Sequence, residues 1–252
     1  MAKYRQNLPQ LSNQLFLTDG GIETTFIYHN GIDLPYFAVF DQLKSEKGTQ
    51  ALRDYYSRHA AIARANGLGF ILESPTWRAS ADWGKKLGYT PSALADINHQ
   101  SIAFLETLRK EFETAQSPMP ISGCIGPRGD GYDPGRIMSE AEAEDYHAGQ
   151  AQVFAKTAAD MVTAITMTNI NEAVGVTRAA RATAMPVAVS FTVETDGRLP
   201  SGELLRQAIE AVDAKTGNAP AYFMVNGAHP THFDDTLVKA DWSKRIRGIR
   251  AN

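Results

Sequence analysis

Residues 161–192 read MVTAITMTNINEAVGVTRAARATAMPVAVSFT. Met161–Ile165 is a short, nearly continuous apolar run, the pattern of a strand covered on both faces. Asn171–Thr183 carries a helical pattern, and Pro186–Thr192 is a second apolar run rich in β-branched residues. Strand, helix and strand in that order form a βαβ unit with parallel strands and a right-handed crossover.

The same alternation extends in both directions. Further strands are expected at Leu15–Thr18, Leu68–Leu72, Ile121–Ile125, Ala221–Asn226 and Arg245–Arg250. Helical patterns cover Thr49–Asn66, Ser92–Thr114, Ser139–Ala158, Gly202–Lys215 and Thr231–Ala240. Ser139 and Glu142 form a capping box, and Pro91 after Thr90 suits a first helical turn. Tyr55, Tyr56, His59, Ile62 and Ala63 fall at helical spacing and are expected to pack inward. Seven strand candidates with no Pro/Gly/Ser linker point to a (β/α)8 TIM-type barrel, with a doubly wound open sheet as the alternative. Residues 1–252 are read as a single barrel domain. The seventh strand candidate ends near Asn252, so one βα unit is expected to lie beyond the chain.

Composition bounds the function. The chain has 252 residues, 43% hydrophobic, which is ample for a buried core. Its single cysteine excludes a disulfide framework within the chain. A net charge of -3 gives no electrostatic reason to bind nucleic acid or an anionic membrane. No apolar run approaches the roughly 20 residues needed to span a bilayer. The N-terminal stretch lacks the apolar core of a signal peptide, so a cytoplasmic protein is expected. The oligomeric state stays open, a homo-oligomer included.

In barrels the chemistry sits at the C-terminal ends of the strands. Polar and glycine-rich residues collect there: Asp19-Gly20-Gly21, Glu73 to Thr76, Gly126 to Asp130, Thr166 to Asn169, Ser190 to Glu194, and Asn226 to His229. Asp19 could bind an ammonium group or close an Asx turn, and Gly20 and Gly21 allow close backbone approach. Gly126–Gly131 is no dinucleotide fingerprint. Cys124 reads as a small buried hydrophobe. His229 and His232 have metal-ligand spacing but no third ligand in view.

Six segments in order resemble the homocysteine S-methyltransferase family. They are LTDGGIETTF (Leu17–Phe26), NGLGFILESPTWRAS (Asn66–Ser80), SGCIGPRGDGY (Ser122–Tyr132), Asp160 with Glu172-Ala173, SFTVETDGRLPSGE (Ser190–Glu203) and MVNGAHP (Met224–Pro230). The resemblance implies a TIM-type barrel enzyme of methionine biosynthesis. It would transfer a methyl group from a sulfonium, betaine or methyl-folate donor to the thiol of homocysteine or a related thiol. It also implies zinc, which holds the substrate sulfur as thiolate. Asp19 would bind the substrate amino group, with Gly20 and Gly21 beside it. Glu73, Thr76, Ser190, Thr192 and Asn226 would line the pocket; no catalytic residue is assigned.

The resemblance departs from the family pattern at three places. Gly227 stands where the family has its first zinc cysteine. The paired zinc cysteines fall beyond Asn252. Ile165, followed by Thr166, stands where many members carry a glutamate. An amino-acid-binding barrel that is non-catalytic or metal-independent is therefore the alternative, and a lyase using Glu73 or Asp19 as base is a third reading.

Overall fold

The computed structural model describes residues 1–237 and 240–251. The chain divides into two compact units, Met1–Cys124 with Val153–Met161, and Ile125–Gln152 with Val162–Asn252.

The first unit contains β1 (Phe16–Thr18), the short α1 (Ile22–Thr24), α2 (Glu46–Ala65), β2 (Gly69–Glu73), α3 (Ala81–Lys86), α4 (Pro91–Phe112) and all but the last residue of β3 (Ile121–Ile125). β1 pairs parallel with β2, Phe16 opposite Gly69, and β2 pairs parallel with β3, Glu73 opposite Ser122. Every residue of β2 and β3 is buried, which is why both read as unbroken apolar runs. α2 begins at Glu46, three residues before the expected start, because the Ser45 hydroxyl caps the Gly48 amide at 3.0 Å. Leu52, Tyr56, Ala60 and Ala63 form its buried stripe. Ile62, expected to pack inward, lies on the opposite side and is exposed, because the stripe at 52, 56, 60 and 63 leaves it outside.

The N-terminal segment is tied to this unit through two carboxylates. Asp160 accepts from the amides of Lys3 (2.7 Å), Tyr4 (2.6 Å) and Ile121 (2.8 Å) and from the Arg109 guanidinium (2.6 Å). Glu113 accepts from Lys3 Nζ, from the Tyr4 hydroxyl and from the Met119 amide. Burial pushes the Glu113 carboxyl up, but these donors outweigh it and hold it below the usual carboxylate range. A depressed pKa gives stability that is present above the unfolded value of about 4.3 and lost as pH falls. Unfolding free energy should therefore decline more steeply below about pH 4 in the parent than in Glu113→Gln. Parallel pH profiles for the two proteins would refute this.

The second unit contains most of α5 (Glu140–Ala155), then β4 (Met161–Met167) from Val162, α6 (Ile170–Ala182), β5 (Val187–Phe191), α7 (Leu205–Thr216), β6 (Tyr222–Asn226) and β7 (Ile246–Arg250). β4–β5, β5–β6 and β6–β7 are all parallel pairs. The Ser139–Glu142 capping box forms in both directions, at 2.8 and 3.2 Å. α6 packs tightly, for a Cβ on Gly175 would sit 2.4 Å from the Ala143 Cβ and 2.6 Å from the Glu144 amide nitrogen. Gly175→Val should cost about 1–3 kcal/mol in chemical denaturation through overpacking. A neutral result would show that the two segments separate freely.

Helix is replaced by tighter turns over part of Thr231–Ala240. The described residues form 3-10 turns at Pro230–His232 and Asp234–Thr236. Phe233, at φ -138, breaks the helical path between them. Val238 and Lys239, within that expected helix, lie outside the described residues, as does Asn252. Among the described residues no helix is long and apolar enough to cross a membrane.

Candidate functional site

Each unit places a buried polar cluster at the C-terminal ends of its strands. In the first unit Asp19 follows β1 and is 3% exposed. The Tyr55 hydroxyl of α2 donates to its Oδ2 at 3.0 Å. Tyr55 packs edge-on against Phe26 and Tyr56, which holds its ring in place. Gly20 and Gly21 have negative or unremarkable φ, and a Cβ on Gly20 would meet nothing within 4 Å. The backbone beside Asp19 is thus open to a ligand, and no left-handed turn requires glycine there.

Glu73 ends β2 and is buried, with Oε1 accepting from the Ser122 hydroxyl at 2.9 Å. The Tyr56 hydroxyl donates to the Glu73 carbonyl at 2.6 Å. Thr76 joins the ends of β2 and β3. Its hydroxyl donates to the Cys124 carbonyl at 2.7 Å and lies 2.6 Å from the Ser74 hydroxyl, which accepts from the Cys124 amide at 2.9 Å. Cys124 is buried, as its apolar surroundings imply. Arg78 lies between Trp77 and Trp83, 3.9 and 4.0 Å from their ring centres.

In the second unit Ser190, Asn226 and Thr166 form one network. Asn226 Oδ1 accepts from the Ser190 hydroxyl at 2.6 Å and from the Thr166 amide at 3.0 Å. Its Nδ2 donates to Thr166 Oγ1 at 2.9 Å. Thr166 has φ +65, a region that a β-branched residue occupies only under constraint. The β4–β5 register shifts between Ala164 and Met167 at the same point. Asn226 therefore holds a strained strand end, which turns the position after Ile165 out of regular β geometry.

Thr192 stands apart from that network. It is 1% exposed, and its hydroxyl has no hydrogen-bond partner among the described residues. A Cβ built on Gly227 would lie 3.5 Å from Thr192 Oγ1 and 3.0 Å from the Tyr132 hydroxyl. Tyr132 is held by an Asx turn in which Asp130 accepts from its amide at 2.8 Å. Behind it, Glu172 accepts from the Arg128 amide at 2.7 Å and contacts His147 Nε2 at 3.0 Å, anchoring the loop after β3 to α6. His229 and His232 have ring centres 6.0 Å apart, and His229 Nδ1 is engaged by Thr231.

The structure thus gathers Glu73 and Thr76 near Ser122 and Cys124, and Ser190 with Asn226. The sequence did not single out Tyr55 as Asp19's partner, Tyr132, or the strain at Thr166. Tyr55 offered only a helical spacing that any core tyrosine shares. Thr166 carried no signal, since a left-handed threonine is set by its surroundings.

A sequence profile described as homocysteine S-methyltransferase matches residues 16–251. Comparison with curated protein sequences gives no match. Three crystal structures of the homocysteine methyltransferase MmuM from Escherichia coli are similar in fold. The oxidized form matches with TM-score 0.74 at 14% identity, over 90% of this chain and 78% of that one. The metallated form matches with TM-score 0.74 at 13% identity, over 95% and 91%. The apo form matches with TM-score 0.69 at 12% identity, over 98% and 94%. The fold is the TIM-type (β/α)8 class expected from the alternation, with seven strands among the described residues.

The residues present do not fit the zinc that the resemblance implies. Among the described residues no group of three His, Cys, Asp or Glu could hold a metal. The one cysteine is Cys124, inside β3, and Gly227 brings no donor atom.

Proposed function

This chain belongs to the homocysteine S-methyltransferase family, and from that premise we propose that it transfers a methyl group to the thiol of homocysteine or a related small thiol. The profile match across residues 16–251 carries the reading, because it spans every strand and every polar strand end. A thiol with pKa near 8.5 is mostly protonated at neutral pH, and its thiolate is the nucleophile. The sulfur attacks the methyl carbon of the donor, a new S–C bond forms and the donor's bond to the methyl breaks. A sulfonium or betaine donor is positively charged and leaves neutral, and the thiol proton passes to solvent; a methyl-folate donor takes up that proton at its departing nitrogen and so also leaves neutral.

Positioning is the protein's main contribution. Asp19 takes the ammonium group of the acceptor, its carboxylate aimed by Tyr55. Gly20 and Gly21 leave room beside it. Glu73 and Thr76 shape the first unit's strand ends, while Ser190 and Asn226 set the backbone at Thr166. Thr192 supplies a buried hydroxyl with no partner among the described residues. The purified chain should convert homocysteine to methionine when given a sulfonium, betaine or methyl-folate donor, read as a one-methyl mass gain. No methylated thiol with any of these donors would overturn the proposal.

Gly227 favours a second reading, a metal-independent amino-acid-binding protein without turnover. Calorimetry separates the two: homocysteine or methionine binding with no methyl transfer supports this reading, and turnover of any donor defeats it.

A further inference from the structure

We infer that Asn226 and Ser190 are positioning residues: they latch the end of β4 in a bulged, left-handed form and act on the methyl transfer through the backbone at Thr166 rather than by contact with a ligand. The role in turnover rests on the acceptor reading above, whereas the latch is a property of the second unit alone.

β4 uses one residue more than β5 at this point. Ala164 pairs with Val189 and Met167 with Phe191, so Ile165 and Thr166 together oppose Ser190. That two-against-one count is a β-bulge. Thr166 carries the strain, at φ +65, where a β-branched side chain stays only if its surroundings over-determine it. Asn226 does so by gripping Thr166 twice, its Oδ1 accepting from the amide at 3.0 Å and its Nδ2 donating to Oγ1 at 2.9 Å. Ser190 fixes the orientation of that side chain by donating to the same Oδ1 at 2.6 Å. All three residues are buried. An amide oxygen has two lone pairs. Both are taken within the chain, which leaves Asn226 Oδ1 no acceptor capacity for a ligand.

The latch matters because strand register is all-or-none. Regular pairing would bring Thr166 opposite Phe191, and every later side chain of β4 would change face. In the bulged form the Met167 carbonyl accepts from the Thr192 amide at 3.2 Å and the Thr168 carbonyl from the Ser201 amide at 3.3 Å. Asn169 Oδ1 accepts from the Glu172 amide at 2.9 Å and so caps α6. These bonds order the segments that follow β4 and β5, at the strand ends where a barrel keeps its chemistry. Asn226 thus governs the placement of polar groups well beyond Thr166.

A double-mutant cycle between Asn226→Ala and Thr166→Gly tests this on the whole chain, because glycine accepts a positive φ without a latch. The two readouts are amide hydrogen exchange and turnover of homocysteine with whichever sulfonium, betaine or methyl-folate donor the parent uses. Asn226→Ala should speed exchange at the amides of Thr192, Ser201 and Glu172 about tenfold or more. The Val162 amide, bonded to the Pro186 carbonyl ahead of the bulge, should change less than about twofold. kcat/KM should fall about tenfold or more. In the Thr166→Gly background the same substitution should change both readouts less than about threefold. Ser190→Ala leaves both Thr166 bonds in place, so it should repeat the pattern more weakly, and it decides the question if Asn226→Ala does not fold. Equal losses of turnover in the two backgrounds overturn the positioning role, since glycine at 166 cannot rescue a lost ligand contact. Exchange that rises uniformly across the second unit, or nowhere, overturns the latch. If the parent turns over none of these donors, the acceptor reading falls and with it the role in turnover, while the exchange cycle still decides the latch.

Discussion

Asp160→Ala is expected to lower the unfolding free energy by about 3–5 kcal/mol, the range for breaking a buried ion pair from one side. Asp160 is fully buried and Arg109 is 7% exposed. The substitution strands the Arg109 guanidinium and leaves the amides of Lys3, Tyr4 and Ile121 without their acceptor. With total stabilities of about 5–15 kcal/mol, a loss of this size brings the chain near unfolding. A urea melt would show the midpoint falling sharply. A shift under about 1 kcal/mol would mean that water reaches these groups and that Asp160 is no anchor. Lys3→Ala serves as the control. It keeps the backbone amide on Asp160 and removes the contacts of a half-exposed ammonium with Glu113 and the Tyr4 ring, so its effect should stay within about 1 kcal/mol.

Asp19→Ala should raise the acceptor KM about 30-fold or more, and Asp19→Asn somewhat less. Removing one partner of a buried, hydrogen-bonded charge pair costs about 2–5 kcal/mol, which converts to at least that factor. The effect should vanish for 4-mercaptobutyrate, the acceptor analogue without an amino group. An equal loss with that analogue would show that Asp19 acts through the structure around Tyr55 rather than on the ammonium. Asn keeps an oxygen for the Tyr55 hydroxyl, so the two substitutions separate charge from shape.

Much of the fold was legible because parallel strands buried on both faces leave continuous apolar runs. All seven strands lie within two residues of their expected bounds. Helix ends were less legible where a side-chain cap or a turn decides them. Ser45 extends α2, whereas Gly202, at φ +100, precedes the late start of α7 at Leu205. The 3-10 turns after β6 carried a helical pattern that local backbone geometry overrode.

By itself the sequence determined the alternation of parallel strands and helices, the polar strand ends, the family, and the absence of cysteine at 227. Each is a property of residue type and order. Tertiary structure alone decided what those polar residues do. Asp160, Thr76 and Asn226 look alike on paper as buried polar groups, yet their hydrogen bonds make them an anchor, a clamp and a support for a strained strand end. Ser190 and Thr192 both carry a buried hydroxyl, yet their surroundings partner the first with Asn226 and leave the second, beside Gly227, without a partner among the described residues. Hydrogen bonds between residues dozens of positions apart have no local signature, so their partners emerge only when the chain is folded.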